Sequence, residues 1–241
     1  MPHKRIVGLD IFRGWAIVMM IIFHFSYDLN YFAFIHIDIT RDWFWVHFRY
    51  VIVSIFMLAV GMSLRIVHHP RLRSKSVLKR IIILGGASLI VTVVTYYQFP
   101  RAWVYFGILH LILLSSIVAL PFVNHPRYAL VASILIFVLS YYDLTYQPQL
   151  FEILKKPLHL PQYTVDLARF FPWFGAVLLG IYIASIQFFK TFFNLSIFSD
   201  SCRANKILAF LGRHALIIYL LHLPILFELV NLTRLLFHKN G

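Results

Sequence analysis

Asp10, Arg13, His24 and Asp28 lie in one stretch, DIFRGWAIVMMIIFHFSYD, that is otherwise apolar enough to cross a membrane. Ionisable groups at membrane depth are costly. Where they occur they face a bundle interior or a water-filled cavity and mark a pathway or a reaction site. On an α-helix Arg13 and His24 return to nearly the same face after three turns, about 16 Å apart along the axis. Asp28 follows His24 by one turn on that face, a spacing at which a carboxylate holds an imidazole in one tautomer and supports its protonated form. Asp10 precedes Arg13 by one turn and is placed to pair with it. The plainer account is that Asp10 and Arg13 anchor a helix end at the headgroups while His24 is a packed polar group. Two ionisable groups one turn apart, well inside an apolar segment, fit that account poorly.

Three further stretches carry polar groups in apolar surroundings. His110 sits in YFGILHLILLSS, and is either a helix-packing group or a second candidate for the site. LGRHALIIYLLHLP places Arg213 and His214 at the start of an apolar run and His222 eight residues on. His214 and His222 should then share a face, with Pro224 loosening the helix just beyond. Interhelical glue is their alternative use. RFFPWFG offers Pro172 for a first helical turn and Trp173 for a membrane interface. Twelve histidines raise the question of metal, but there is neither an H-E-x-x-H pattern nor a paired-cysteine spacing, so no metal site is expected.

These residues need helices to hold them. With 61% hydrophobic and 13% charged residues, the composition lies outside the range of ordinary soluble domains and indicates an integral membrane protein. About 20 apolar residues cross the hydrocarbon, and seven stretches qualify, at approximately 9 to 32, 44 to 67, 79 to 99, 103 to 123, 127 to 146, 169 to 189 and 207 to 231. The expected fold is an all-α polytopic membrane bundle of about seven transmembrane helices, forming a single domain over residues 1–241. The long connection from 147 to 168, with prolines at 148, 157 and 161, is expected to hold an interfacial helix or a partial lid. MPHKR resembles a signal n-region, yet Asp10 and Arg13 interrupt the apolar run and no A-x-A-like site follows, so the first helix is read as uncleaved.

The net charge of +13 resides in short segments between apolar runs, notably HHPRLRSKSVLKR at 68–80. That distribution is a positive-inside signal rather than a nucleic-acid surface, and it places the N-terminus in the cytoplasm. With seven spans the C-terminus lies outside. The single cysteine, Cys202, makes no intrachain disulfide.

Arg13 and Gly14 followed by His24, an R-x10-H spacing, resemble the motif of acyltransferase type 3 membrane proteins. The segments GLDIFRGWAIVMMIIFHFSYDL, YFGILHLILLSS, RFFPWFGAVLLGI and LGRHALIIYLLHLP, in that order, resemble more closely the bacterial proteins similar to the catalytic domain of heparan-alpha-glucosaminide N-acetyltransferase. The resemblance implies a multispan enzyme of the bacterial inner membrane. It would take an acetyl group from cytoplasmic acetyl-CoA and give it to an amine or hydroxyl of a sugar or glycan acceptor. It also implies that His24 is the catalytic histidine and that the family's arginine falls on Arg13; the one-turn spacing adds Asp28 as the support of that histidine.

The chemistry stands beside the resemblance. Acyl transfer from a thioester needs a base for the proton of the attacking group, and imidazole suits that at neutral pH, either as base or as transient acyl carrier. Arg13, Arg65, His110 and Arg213 are the candidates for holding the anionic donor, and Arg71, Arg73, Lys79 and Arg80 add to a basic rim. Tyr27, Trp173, His214 and His222 are the candidates for the acceptor. Membrane lipids are the other expected partner. Two other classes fit parts of the pattern. A transporter or proton relay also uses intramembrane Asp, Arg and His. A b-type cytochrome would ligate haem through histidines on two helices, and a Soret band would reveal it.

Overall fold

A computed structural model of the chain describes residues 6–145, 155, 157–158, 160–193, 195, 198 and 202–238. Within them the chain is helical: α1 (Val7–Tyr31), α2 (Trp43–His68), α3 (Ser74–Gln98), α4 (Ile108–Val118), a 3-10 turn (Leu120–Phe122), α5 (Pro126–Tyr141), α6 (Trp173–Ile183), α7 (Gln187–Phe193), α8 (Arg203–Arg213) and α9 (Ala215–His238). Four helices are long and apolar enough to cross a membrane: α1, α2, α3 and α9 over Ala215–Leu236. Three of the predicted spans form shorter apolar helices, α4, α5 and α6, of 11, 16 and 11 residues, below the roughly 20 that a straight crossing needs.

Local chemistry sets several of these ends. The Asp42 carboxylate accepts the Phe44 N–H at 2.8 Å just as α2 begins, and Pro126 opens α5 where its missing N–H costs nothing. Residues 103–107, expected to be helical, are extended instead. The Phe106 carbonyl accepts the Ala168 N–H at 2.9 Å and the Ala102 carbonyl accepts the Val165 N–H at 3.0 Å, so backbone that leaves the helix still finds partners within the chain.

The seventh predicted span, 207–231, is also corrected: it is divided between α8 and α9 at His214. Arg213 Nε donates to the Ala209 carbonyl at 3.1 Å, and the His214 side chain bonds the Phe210 carbonyl at 2.9 Å. These side-chain bonds add to the backbone bond from the His214 N–H to the Phe210 carbonyl at 3.1 Å at the last turn of α8. Pro224, the expected weak point, lies inside α9 without ending it. Of the segment expected to hold a lid or interfacial helix, 147–168, residues 147–154, 156 and 159 fall outside the described residues, as do MPHKR and most of 194–201.

The chain divides into two compact units. One takes residues 57–190: the second part of α2, then α3 to α6. In it α5 packs on α6, where the buried Ser133 hydroxyl donates to the Gly175 carbonyl at 2.8 Å, and α3 packs on α4. Ile82, Ile83, Leu89, Ile90, Val93 and Val94 of α3 point outward, an exposed apolar band suited to lipid. The other unit takes the described residues up to 56 and from 191 on. Its core is Ile17, Met20, Phe23, Ile39 and Ile52, with Leu211, Ala215, Ile218 and Tyr219 packed against it.

Candidate functional site

Helix α1 carries the first constellation. The Arg13 guanidinium lies 3.5 Å from the buried Asp10 carboxylate, the pairing that the one-turn spacing calls for. Here α1 meets α8 with almost no side chain between them. A methyl added at Gly14 would collide with the Leu208 backbone, and one added at Gly212 with the Asp10 carbonyl. Such glycine-lined crossings let helices approach closely inside a membrane. Because Arg13 adjoins Gly14 and Arg213 adjoins Gly212, the crossing brings two arginine-bearing segments together.

His24 is held differently from the expectation. Its Nδ1 lies 2.9 Å from the Met20 carbonyl. A carbonyl only accepts, so Nδ1 carries the hydrogen and Nε2 keeps a lone pair. The anticipated partner, Asp28, makes no hydrogen bond to the ring. It is buried, and its Oδ2 has no hydrogen-bond partner among the described residues. The reason is directional: helical side chains lean toward the N-terminus, so the imidazole turns back onto its i−4 carbonyl and away from the carboxylate one turn ahead.

The same unit supplies a second ring. Along α9, Ala215 and Ile218 pack against the core that Ile17, Met20 and Phe23 help form, His222 meets His24, and Phe227 meets Phe32. The two helices therefore run parallel. The His24 and His222 ring centroids are 4.7 Å apart, with the planes at 78°. His222 is buried, its Nδ1 is 2.6 Å from the Tyr219 carbonyl, and its Nε2 has no partner among the described residues. Both rings are thus fixed in the tautomer that leaves Nε2 basic.

His214 does not share their face, contrary to the sequence reading. The turn between α8 and α9 interrupts the eight-residue register, leaving His214 exposed against Phe210 while His222 is buried. Arg213 and Tyr27 are exposed, and Trp173, half-buried, opens α6 in the other unit. Outside the helices, Asp38 accepts bonds from the Thr40 hydroxyl and from the Thr40 and Arg41 N–H groups. These bonds hold its carboxyl below the usual range, the Thr40 hydroxyl having the largest effect.

In the unit of residues 57–190, several polar side chains bond to the chain itself. His110, in the first turn of α4, accepts the Gly107 N–H at Nδ1 (3.3 Å), so its hydrogen sits on Nε2, 3.1 Å from the Thr92 hydroxyl oxygen. That hydroxyl in turn donates to the Val104 carbonyl at 2.9 Å. Both ring nitrogens are engaged. The Arg65 guanidinium donates to the Val123 carbonyl, and Arg80 Nε to the Ser116 hydroxyl at 3.0 Å. Among the described residues no three His, Cys, Asp or Glu side chains come together as a metal site.

Sequence reasoning missed the meeting of His24 with His222, because nothing local ties α1 to a helix almost two hundred residues away. It also missed the Met20 carbonyl, which the habit of helical side chains to reach back one turn would have indicated. A family model described as heparan-alpha-glucosaminide N-acetyltransferase, catalytic, matches residues 5–224. No curated protein and no solved structure matches the chain.

Proposed function

Because the chain belongs to the heparan-alpha-glucosaminide N-acetyltransferase catalytic family, we propose that it moves the acetyl group of cytoplasmic acetyl-CoA to an amine on a sugar or glycan across the bacterial inner membrane. The observation that carries this reading is His24, whose Nδ1–H is committed to the Met20 carbonyl and whose Nε2 is left basic beside His222. The acceptor nitrogen attacks the thioester carbonyl carbon, forming the C–N bond as the C–S bond breaks. His24 Nε2 takes the proton that this nitrogen sheds and returns it to the CoA sulfur. If Nε2 instead carries the acetyl group between donor and acceptor, the same tautomer is required.

Arg13 and Arg213, on the segments joined at the glycine crossing, are assigned to the anionic donor. Arg65 and His110, engaged with Val123 and with Gly107 and Thr92, are assigned to holding their own helices. Tyr27, Trp173 and His214 remain candidates for the acceptor. The parallel course of α1 and α9 supports entry of both from one side of the membrane, with a cytoplasmic N-terminus and an external C-terminus. Purified protein incubated with radiolabelled acetyl-CoA and a panel of amino sugars tests the assignment, with hydroxyl-only sugars as controls. Label should appear on an amine; no transfer to any amine overturns the reading.

A further inference from the structure

His222 is the buried polar group that this reaction leaves unused. Its Nε2 is a buried lone pair with no donor among the described residues, beside the ring of His24. An unsatisfied buried acceptor destabilises a fold, so a position serving only packing would be better filled by an apolar side chain. The Nδ1 bond to Tyr219 fixes the ring so that this lone pair persists.

The chemistry of an amine acceptor gives that lone pair a task. A primary amine at neutral pH is mostly an ammonium, with no electron pair to attack a carbonyl, since simple alkyl amines have pKa values near that of lysine, about 10.4. It must lose one proton before the C–N bond forms and a second as the amide is completed. One base with one lone pair cannot hold both. We propose that His222 is the second base of the transfer, taking the first proton of the acceptor ammonium at Nε2 and leaving His24 free for the second.

The steps balance. The ammonium and neutral His222 become the free amine and His222 imidazolium. The amine displaces CoA from the thioester, His24 Nε2 carries its remaining surplus proton to the CoA sulfur, and His222 returns its proton to water. Asp28, one turn along α1 from His24, and the Asp10–Arg13 pair, three to four turns back, are the charged groups on that helix; among the described residues Glu228 and Arg234 are those further along α9.

This inference rests on the proposed N-acetyltransferase reading, and the experiment separates the two. Wild type, His222→Phe and His222→Gln are assayed at pH 7 with two small amines of similar size: ethylamine, largely protonated, and trifluoroethylamine, largely not. His222→Phe keeps an aromatic ring against His24, and His222→Gln keeps a donor for the Tyr219 carbonyl. Both variants should lose about 100-fold in kcat/KM with ethylamine, yet less than about 5-fold with trifluoroethylamine, which arrives already deprotonated. Raising the pH should restore ethylamine transfer in the variants, and their melting temperatures should equal or exceed that of wild type. Equal losses with the two amines in either folded variant overturn the second-base role, and so does an unchanged rate with ethylamine. Wild type that acetylates neither these amines nor any amino sugar overturns the N-acetyltransferase reading and this inference with it.

Discussion

His110 and the pair of His24 with His222 use the same side chain in opposite ways. At the α3 and α4 corner, a backbone N–H fills one His110 nitrogen and the Thr92 hydroxyl meets the other, so the ring is a bracket between two helices and a loop. Between α1 and α9 each ring gives its Nδ1–H to a carbonyl of its own helix and keeps Nε2 uncommitted. The difference shows that apolar surroundings alone do not make a histidine catalytic. What distinguishes the two regions is where the second nitrogen's lone pair goes.

Replacing the bare nitrogen should produce the largest effect. His24→Ala should lower acetyl transfer by about 10² to 10⁴, the worth of a positioned general base, with little loss of folded protein. Turnover near wild type in well-folded His24→Ala would place the chemistry elsewhere and dissolve the contrast. The converse holds at the bracket. His110→Ala leaves the Gly107 N–H without its acceptor and should cost about 1–3 kcal/mol of stability, read as a lower melting temperature, while turnover per folded molecule stays near wild type. A large loss of turnover at unchanged stability would move His110 into the reaction.

Asp28→Asn refines the comparison. Because Met20, not Asp28, sets the His24 tautomer, the amide should keep the ring in place and cost turnover less than about tenfold, far below the His24→Ala loss. Losses of equal size would restore the carboxylate as the ring's orienter. The smallest effect belongs to the loop between α1 and α2. Asp38 has a depressed pKa in the folded chain, so its turn contributes stability above its ordinary pKa and loses it as pH falls through the folded value. Thr40→Val, which removes the largest cause, should bring that acid transition to higher pH and leave the pH profile of acetyl transfer unmoved. A shift in the transfer profile would tie the loop to the ring pair.

Much of this molecule was legible locally. Hydropathy located the four helices long enough to cross a membrane, α1, α2, α3 and α9, since an apolar run of about 20 residues is a property of a segment and not of its neighbours. The positions of Asp10, Arg13 and His24 on one helix, and the ion pair of the first two, followed from 3.6 residues per turn. The ordered motifs pointed to the same family that the match over residues 5–224 identifies. Where helices stop was less legible. α8 ends at Arg213, beside the backbone-to-backbone crossing of Gly212 with α1 and the side-chain bonds to the Ala209 and Phe210 carbonyls, and none of these is visible in hydropathy.

The division of labour among the histidines was decided only by tertiary structure. A neutral imidazole has one hydrogen and one lone pair, and the partner of either nitrogen dictates the role of the other. For His110 the deciding partners include Thr92 on another helix. For His222 the neighbouring ring is that of His24, at the opposite end of the chain. Sequence determined that histidines would stand at membrane depth, each within reach of a carbonyl of its own helix for Nδ1–H, and only the packing of α1 against α9 brought the rings of His24 and His222 together.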